Sequence, residues 1–187
     1  HPQFAPLTAA TALACATTRL RVGPSVLAND FRPPVVLAKA IATLDLISGG
    51  RLEFGTARSS TWTELGGFEA DPDRTKQDWD EFVRAIPGMW TQERFSWKGS
   101  CFSMPERAVL PKPMQKPHPP MWVTVTSPGT ELDAAERGLG CLGGGRQAFN
   151  DGGANVSETR IDQRDKQRFP APVEEREAQN GDWAVIG

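Results

Sequence analysis

The chain has no tyrosine, only two histidines, His1 and His118, and three cysteines, Cys15, Cys101 and Cys141. The histidines stand far apart and neither has another ligand at metal-binding spacing, so no metal centre is expected. The cysteines are odd in number and include no Cys-x-x-Cys pair, which argues against a disulfide framework and for a reduced, cytoplasmic compartment. Neither sign of charge dominates, with 21 Lys and Arg against 23 Asp and Glu and a net charge of -2. The basic surface that nucleic acid requires is therefore missing. No apolar run reaches the roughly 20 residues of a membrane-spanning helix, and the N-terminus lacks a charged-then-apolar leader pattern. Partners among nucleic acids and membranes are accordingly not expected.

What is present is a globular composition, 39% hydrophobic and 24% charged over 187 residues, enough for one ordinary core. The chain opens on His1 without a methionine and reads as a segment of a longer protein. Its apolar periodicity predicts a helix over 4–18 and a buried strand over 19–28 that Gly23-Pro24 interrupts, since proline removes a ladder donor. A helix over 35–47 follows, opened by Pro33-Pro34 and closed by Ser48-Gly49-Gly50. A short strand, Leu52 to Thr56, comes next. Helix, strand, helix, strand with short connections is the pattern of parallel α/β architecture.

Beyond this strand, residues 59–72 read as a long polar loop and 74–91 as an amphipathic helix whose last turn Pro87 should kink or shorten. The aromatic alternation of 95–103 around Lys98-Gly99-Ser100 predicts a hairpin, and 105–120 a rigid proline-rich connector. In that connector Pro117-His118-Pro119-Pro120 reads as a turn. A strand over 121–125, a helix over 132–137 and a short strand over 139–142 complete the pattern. Residues 145–187 are polar and without sustained period, so the expected division is an α/β part over 1–144 and a poorly packed tail over 145–187.

Two places carry candidate chemistry. Arg58 lies at the carboxyl end of the strand that follows Gly49-Gly50, where parallel sheets bind ligands, and its guanidinium is a planar fork of donors suited to phosphate or carboxylate. A solvated or ion-paired surface arginine is the plain alternative. Ser127 is a fitting N-cap and Pro128 a fitting first helical residue, so this helix start offers backbone donors to an anion, with an ordinary capped helix as the alternative.

The runs Leu20-Arg21-Val22-Gly23, Arg32-Pro33-Pro34-Val35, Ala42-Thr43-Leu44-Asp45-Leu46-Ile47-Ser48-Gly49-Gly50-Arg51-Leu52 and Phe54-Gly55-Thr56-Ala57-Arg58 together resemble the flavin-dependent luciferase-like monooxygenases. Leu110-Pro111-Lys112-Pro113 and the stretch Pro117 to Val123 extend the resemblance, which covers about 4–143. It implies a TIM (β/α)8-barrel type fold. Because the first two strands are missing and the tail replaces the elements after Leu142, about four barrel strands plus a β-hairpin insertion are expected, an incomplete barrel.

The resemblance also implies FMN, or in some branches the deazaflavin F420, at the carboxyl ends of the strands. Arg58 matches the arginine that meets the flavin phosphate, and Thr126, Ser127 and Thr130 fall on the loop and helix start that clasp the same group. Ser25-Val26 falls where the family bends a strand under the flavin ring, commonly through a non-proline cis peptide. His1 falls near the family's active-site histidine. Two positions depart from the family pattern: Ser59 follows Arg58 where glycine is usual, and Thr126 stands where an acid is often found. The implied reaction uses reduced FMN, delivered by a separate flavin reductase, and O2 to oxidise a small organic substrate. Trp62 is then a candidate lid residue, with surface packing as the alternative. An F420-dependent hydride transfer or a catalytically inert flavin-binding remnant are the other readings, and a homodimer is compatible with all of them.

Overall fold

A computed structural model of the chain describes residues 5–29, 31–59, 61–125, 129–143 and 183–186. The elements run α1 (Pro6–Ala16), β1 (Arg21–Pro24), β2 (Leu27–Ala28), α2 (Pro34–Ser48), β3 (Phe54–Ala57), α3 (Trp62–Gly67) and α4 (Thr75–Thr91). After these come β4 (Phe95–Lys98), β5 (Ser103–Arg107), β6 (Met121–Val125), α5 (Thr130–Glu136), β7 (Gly140–Gly143) and β8 (Trp183–Ile186). One four-stranded sheet has the order β2-β3-β6-β7 with every pair parallel, β8 pairs in parallel with β1, and β4 and β5 form an antiparallel hairpin. The architecture is α/β with a parallel sheet that is not closed into a barrel among the described residues. None of their helices is long and apolar enough to cross a membrane.

Alternation on β3 sets the two faces of the sheet. Phe54 packs edge-on against Trp90 of α4, and Thr56 accepts a hydrogen bond from Trp79 of the same helix at 3.2 Å. The core therefore lies between sheet and helices, filled by Leu37 and Ile41 of α2, Val83 and Ile86 of α4, and Val22, Leu52 and Phe54. Glu53 and Gly55 point to the opposite, inner face, as does Trp122, which is in register with Gly55 on β6. Trp122 lies over Gly140 of β7, where a Cβ would collide with the indole.

The residues around Gly49-Gly50 fasten the amino-terminal end of the sheet. Gly49, at φ 67, ends α2 in the left-handed conformation, and the Gly50 N–H donates to the Asp45 carbonyl at 2.9 Å. The buried Asp45 carboxylate accepts from the Gln115 backbone N–H at 2.8 Å and its side-chain amide at 2.7 Å. Arg51 donates to the carbonyls of Ala14 at 2.8 Å, Leu20 at 2.6 Å and Ser48 at 2.6 Å. One guanidinium thus ties together the ends of α1 and α2 and the approach to β1. On the inner face Glu53 accepts from Arg21 and, at 2.6 Å, from Trp122 Nε1.

The structure corrects several expectations. The expected interruption of the strand over 19–28 is present, though it falls one step later: Pro24 is still paired, and pairing lapses after it and resumes at Leu27. The polar loop over 59–72 contains α3, whose acidic residue Glu64 accepts from Ser59 Oγ at 2.6 Å and Thr61 Oγ1 at 2.9 Å. These two bonds hold the Glu64 carboxyl below the usual range. Helix α4 continues through Pro87 to Thr91. Strand β5 takes in Pro105, which the sequence places in the connector. Helix α5 begins at Thr130 with Gly129, φ 89, as its N-cap, so the cap is not Ser127. The tail carries β8.

The hairpin is held by one carboxylate. Glu81 of α4, 7% exposed, accepts from Trp97 Nε1 at 2.9 Å, from the backbone and hydroxyl of Ser100 at 2.8 and 2.9 Å, and from the Cys101 N–H at 3.0 Å. Burial by itself raises its pKa, but these bonds outweigh it and the carboxyl is lowered to about 2. Because the folded value is depressed, the stabilisation is complete above the ordinary carboxylate range and is lost as pH falls through about 2. Glu81→Ala should cost about 2 to 3 kcal/mol in urea unfolding at neutral pH, with the difference from wild type shrinking as pH falls below about 4. A difference independent of pH would show that the carboxylate is not what holds the hairpin.

Candidate functional site

The carboxyl end of the parallel sheet is where strand β1 breaks and restarts as β2. The Ser25–Val26 peptide that joins them is cis, although Val26 is not proline. Beneath it, Gly55 leaves room that no side chain could share: a Cβ there would collide with the Pro24 carbonyl and stand 3.1 Å from Val26 Cγ1. Gly23 does the same lower down, since a Cβ on it would run into the Glu53 carbonyl. The two glycines let the bent strand lean across β3, which brings Ser25 and Val26 over the inner face of the sheet.

Arg58 follows β3 directly and is exposed. Its hydrogen bond among the described residues is a long one, from Nη1 to Thr75 Oγ1 at the start of α4, 3.4 Å. Most of its donors are therefore available to a ligand. Below it, the buried Thr56 hydroxyl accepts from Asn29 Nδ2 at 2.8 Å and from Trp79 Nε1 at 3.2 Å. Asn29 is fully buried, yet its Oδ1 has no hydrogen-bond partner among the described residues. Ser59, where the resemblance implies glycine, carries a hydroxyl that donates to Glu64 of α3 at 2.6 Å.

Of the residues singled out by sequence, Val26 packs on Gly55 within β3 with Ser25 just before it, and Arg58 follows the end of the same strand. Thr130 opens α5 just after β6, which is the other neighbour of β3. Thr126, Ser127 and His1 lie outside the described residues. Trp62 is 76% exposed at the start of α3, and Phe68 after that helix stacks on Phe31 of the loop beyond β2, ring centroids 4.5 Å apart. Sequence reasoning missed Asn29, Thr56 and Thr75. Asn29 gives only a faint signal, an amide immediately after a buried strand. His118 lies in the irregular stretch before β6, its Nδ1 2.8 Å from the Pro119 carbonyl. Among the described residues no cluster of His, Cys, Asp and Glu could hold a metal ion.

The donor set fits a flavin mononucleotide in two respects. An exposed guanidinium with unused donors suits a phosphate, and the bent strand at Ser25-Val26, seated on glycine, presents flat backbone where a planar ring needs a support. Both lie at the ligand-binding end of a parallel sheet.

Comparisons with known proteins identify relatives of the chain. A family model described as luciferase-like monooxygenase matches residues 1–172. The FMNH(2)-dependent dimethylsulfone monooxygenase of Pseudomonas putida is 34% identical over 123 residues, which are 63% of this chain and 33% of that protein. The F420-dependent glucose-6-phosphate dehydrogenase of Kineococcus radiotolerans is 31% identical over 133 residues, 70% of this chain and 39% of that protein. Among solved structures, the monooxygenase RslO1 from Streptomyces bottropensis superposes with a TM-score of 0.70 at 33% identity, over 73% of this chain and 42% of that one. The chain thus spans about a third of the length of the two curated relatives, 33% and 39%.

Gly55→Ala tests the close approach that shapes this end. The added methyl has backbone on one side and Val26 on the other, so overpacking should cost about 1 to 3 kcal/mol in thermal or urea unfolding. Unchanged stability would mean that the bent strand is not seated on Gly55.

Proposed function

Because the chain belongs to the luciferase-like monooxygenase family, we propose that it is the flavin-holding part of an enzyme that uses reduced FMN and O2 to oxidise a small organic substrate. The observation that carries this reading is the exposed guanidinium of Arg58 at the carboxyl end of β3, whose hydrogen bond among the described residues is the long one to Thr75. The reading implies a TIM-barrel type fold, of which the described parallel strands are a part.

In this reading Arg58 binds the flavin phosphate, joined by Thr126, Ser127 and Thr130 from the segment after β6, while Ser25 and Val26 support the ring. Bound reduced FMN would supply the electrons that activate O2. The chain's own work is to fix the ring's orientation and to keep water from the reacting face, which the loops at this end do by covering it. Since reduced FMN is consumed as a substrate, a flavin reductase has to deliver it. His1, which lies outside the described residues, is the proposed catalytic residue.

A second reading is favoured by the F420-dependent relative, 31% identical: hydride transfer without oxygen. It uses the same end of the sheet. Titration of the chain with FMN and with F420, followed by the change in flavin absorbance, separates the two.

The same family membership fits a homodimer. Helix α1, PLTAATALACA, carries no charge, Val36 of α2 is 61% exposed, and Ile47 of α2, 47% exposed, lines a cleft together with Leu7, Thr11 and Thr43. An exposed pair of helices with so little charge suits a second copy of the same face. Ile47→Glu should turn a dimer into a monomer in sedimentation, whereas a wild-type monomer removes this reading.

The test of the cofactor reading is Arg58→Ala. It should weaken FMN binding by about 1.5 to 3 kcal/mol, roughly 10- to 100-fold, and leave riboflavin, which lacks the phosphate, nearly unaffected. Equal FMN affinity in variant and wild type would remove Arg58 from the phosphate site.

A further inference from the structure

We propose that the substrate of this site is a planar aromatic compound, received on a ledge formed by Phe31, Trp62 and Phe68 at the carboxyl end of the sheet. The inference rests on the flavin reading for the chemistry done there, and on exposure and ring geometry for the ledge itself.

The fold brings the three rings to one end. Phe31 follows β2, while Trp62 opens α3 and Phe68 caps it after β3. Because β2 and β3 are parallel neighbours, both connections leave the sheet at its carboxyl end. Phe31 and Phe68 stack across them, with ring centroids 4.5 Å apart and planes 21° apart. The Trp62 indole leans along α3, its Cε2 and Nε1 3.9 Å from where a Cβ on Gly66 would stand, two residues short of Phe68. Arg32 lies beside the stack, its guanidinium 6.0 Å from the Phe31 ring centre and donating to the Ala28 carbonyl at 2.5 Å.

Exposure is what needs explaining. Trp62 is 76% and Phe68 63% exposed, whereas Trp79, Trp90 and Phe54 are buried. Helix α3 enters the core through Leu65 and not through its tryptophan. The stack covers one face of Phe68 and still leaves most of the residue in water. Rings left exposed at the ligand-binding end of a parallel sheet mark a binding surface. Their extent indicates the kind of ligand. Aromatic side chains bury about 150 to 250 Å² each, so three that are already partly covered fall short of the ~800 Å² per partner of a standard protein interface. A small molecule fits that area. Ring faces gain from offset stacking as well as from area, which selects a flat aromatic compound over a saturated one of equal size. Trp62 follows Arg58 on the same connection, so a compound on the ledge neighbours the place proposed for the flavin.

The experiment measures binding of 2-naphthol, and of decahydro-2-naphthol as its saturated counterpart, by calorimetry without flavin on wild type, Phe68→Leu, Phe68→Tyr and Trp62→Ala. Both substituted residues are exposed, so the variants should melt with the wild type. Wild type should bind 2-naphthol at least about threefold more tightly than its saturated counterpart, and Phe68→Leu and Trp62→Ala should each weaken 2-naphthol roughly 3- to 10-fold. Phe68→Tyr, which restores the ring, should bind as wild type does. Equal affinities of wild type for the two compounds, or 2-naphthol binding that neither Phe68→Leu nor Trp62→Ala weakens, overturns the proposal, as does a wild type that binds neither compound. A dimer in sedimentation that Phe68→Leu dissolves gives the ledge to a second copy and overturns it as well. A chain that binds 2-naphthol through the ledge, yet binds no FMN in a separate titration, keeps the aromatic site and overturns the flavin reading that makes it a substrate site.

Discussion

The contact on which the rest depends is the close approach of the bent β1–β2 strand to Gly55. Backbone lies where a side chain would be, with the Pro24 carbonyl and Val26 Cγ1 both against the position of a Cβ. A glycine with a negative φ is conformationally ordinary, so its value here is space and not torsional freedom. Because the strand can lean in, pairing breaks after Pro24 and resumes at Leu27, and the connecting peptide is set over the inner face. The same lean carries Asn29 up beside Arg58, since β2 keeps register with β3 for two residues and one further backbone bond.

A division of labour follows along the strands. At their amino-terminal ends the polar groups are fully engaged: Arg51 donates to three backbone carbonyls, Asp45 is matched to Gln115, and Glu53 is bonded by Arg21 and Trp122. These are bonds of structure, each holding helix ends or the proline-rich connector to the sheet. At the carboxyl ends the bonding is incomplete. Arg58 makes one long bond among the described residues and Asn29 keeps an unused group. Stability at one end and unsatisfied chemistry at the other is the arrangement expected of a parallel α/β enzyme.

Much of the fold was legible because it is local. Proline at the start of α2, glycine after its end and the apolar face of α4 announce their helices, and aromatic alternation announces the hairpin. Elements fixed by distant partners were not. Helix α3 is short and depends on Ser59 and Thr61 bonding Glu64, and β8 is a strand only because β1 has an edge to offer. Within the site, Arg58 was readable from its place after a strand. Asn29 was not, because its meaning lies in what Thr56 and Trp79 already do, and those bonds cross 27 and 23 positions of sequence. The motif around Gly49-Gly50-Arg51 shows the converse: it is easy to recognise, yet its arginine serves the backbone.

The most direct test of the account is a crystal structure of the chain with FMN. The account predicts the phosphate against the Arg58 guanidinium beyond the end of β3, with the ring over the Ser25–Val26 peptide. A flavin bound in order elsewhere on the chain, or one whose phosphate is turned away from Arg58, would contradict it.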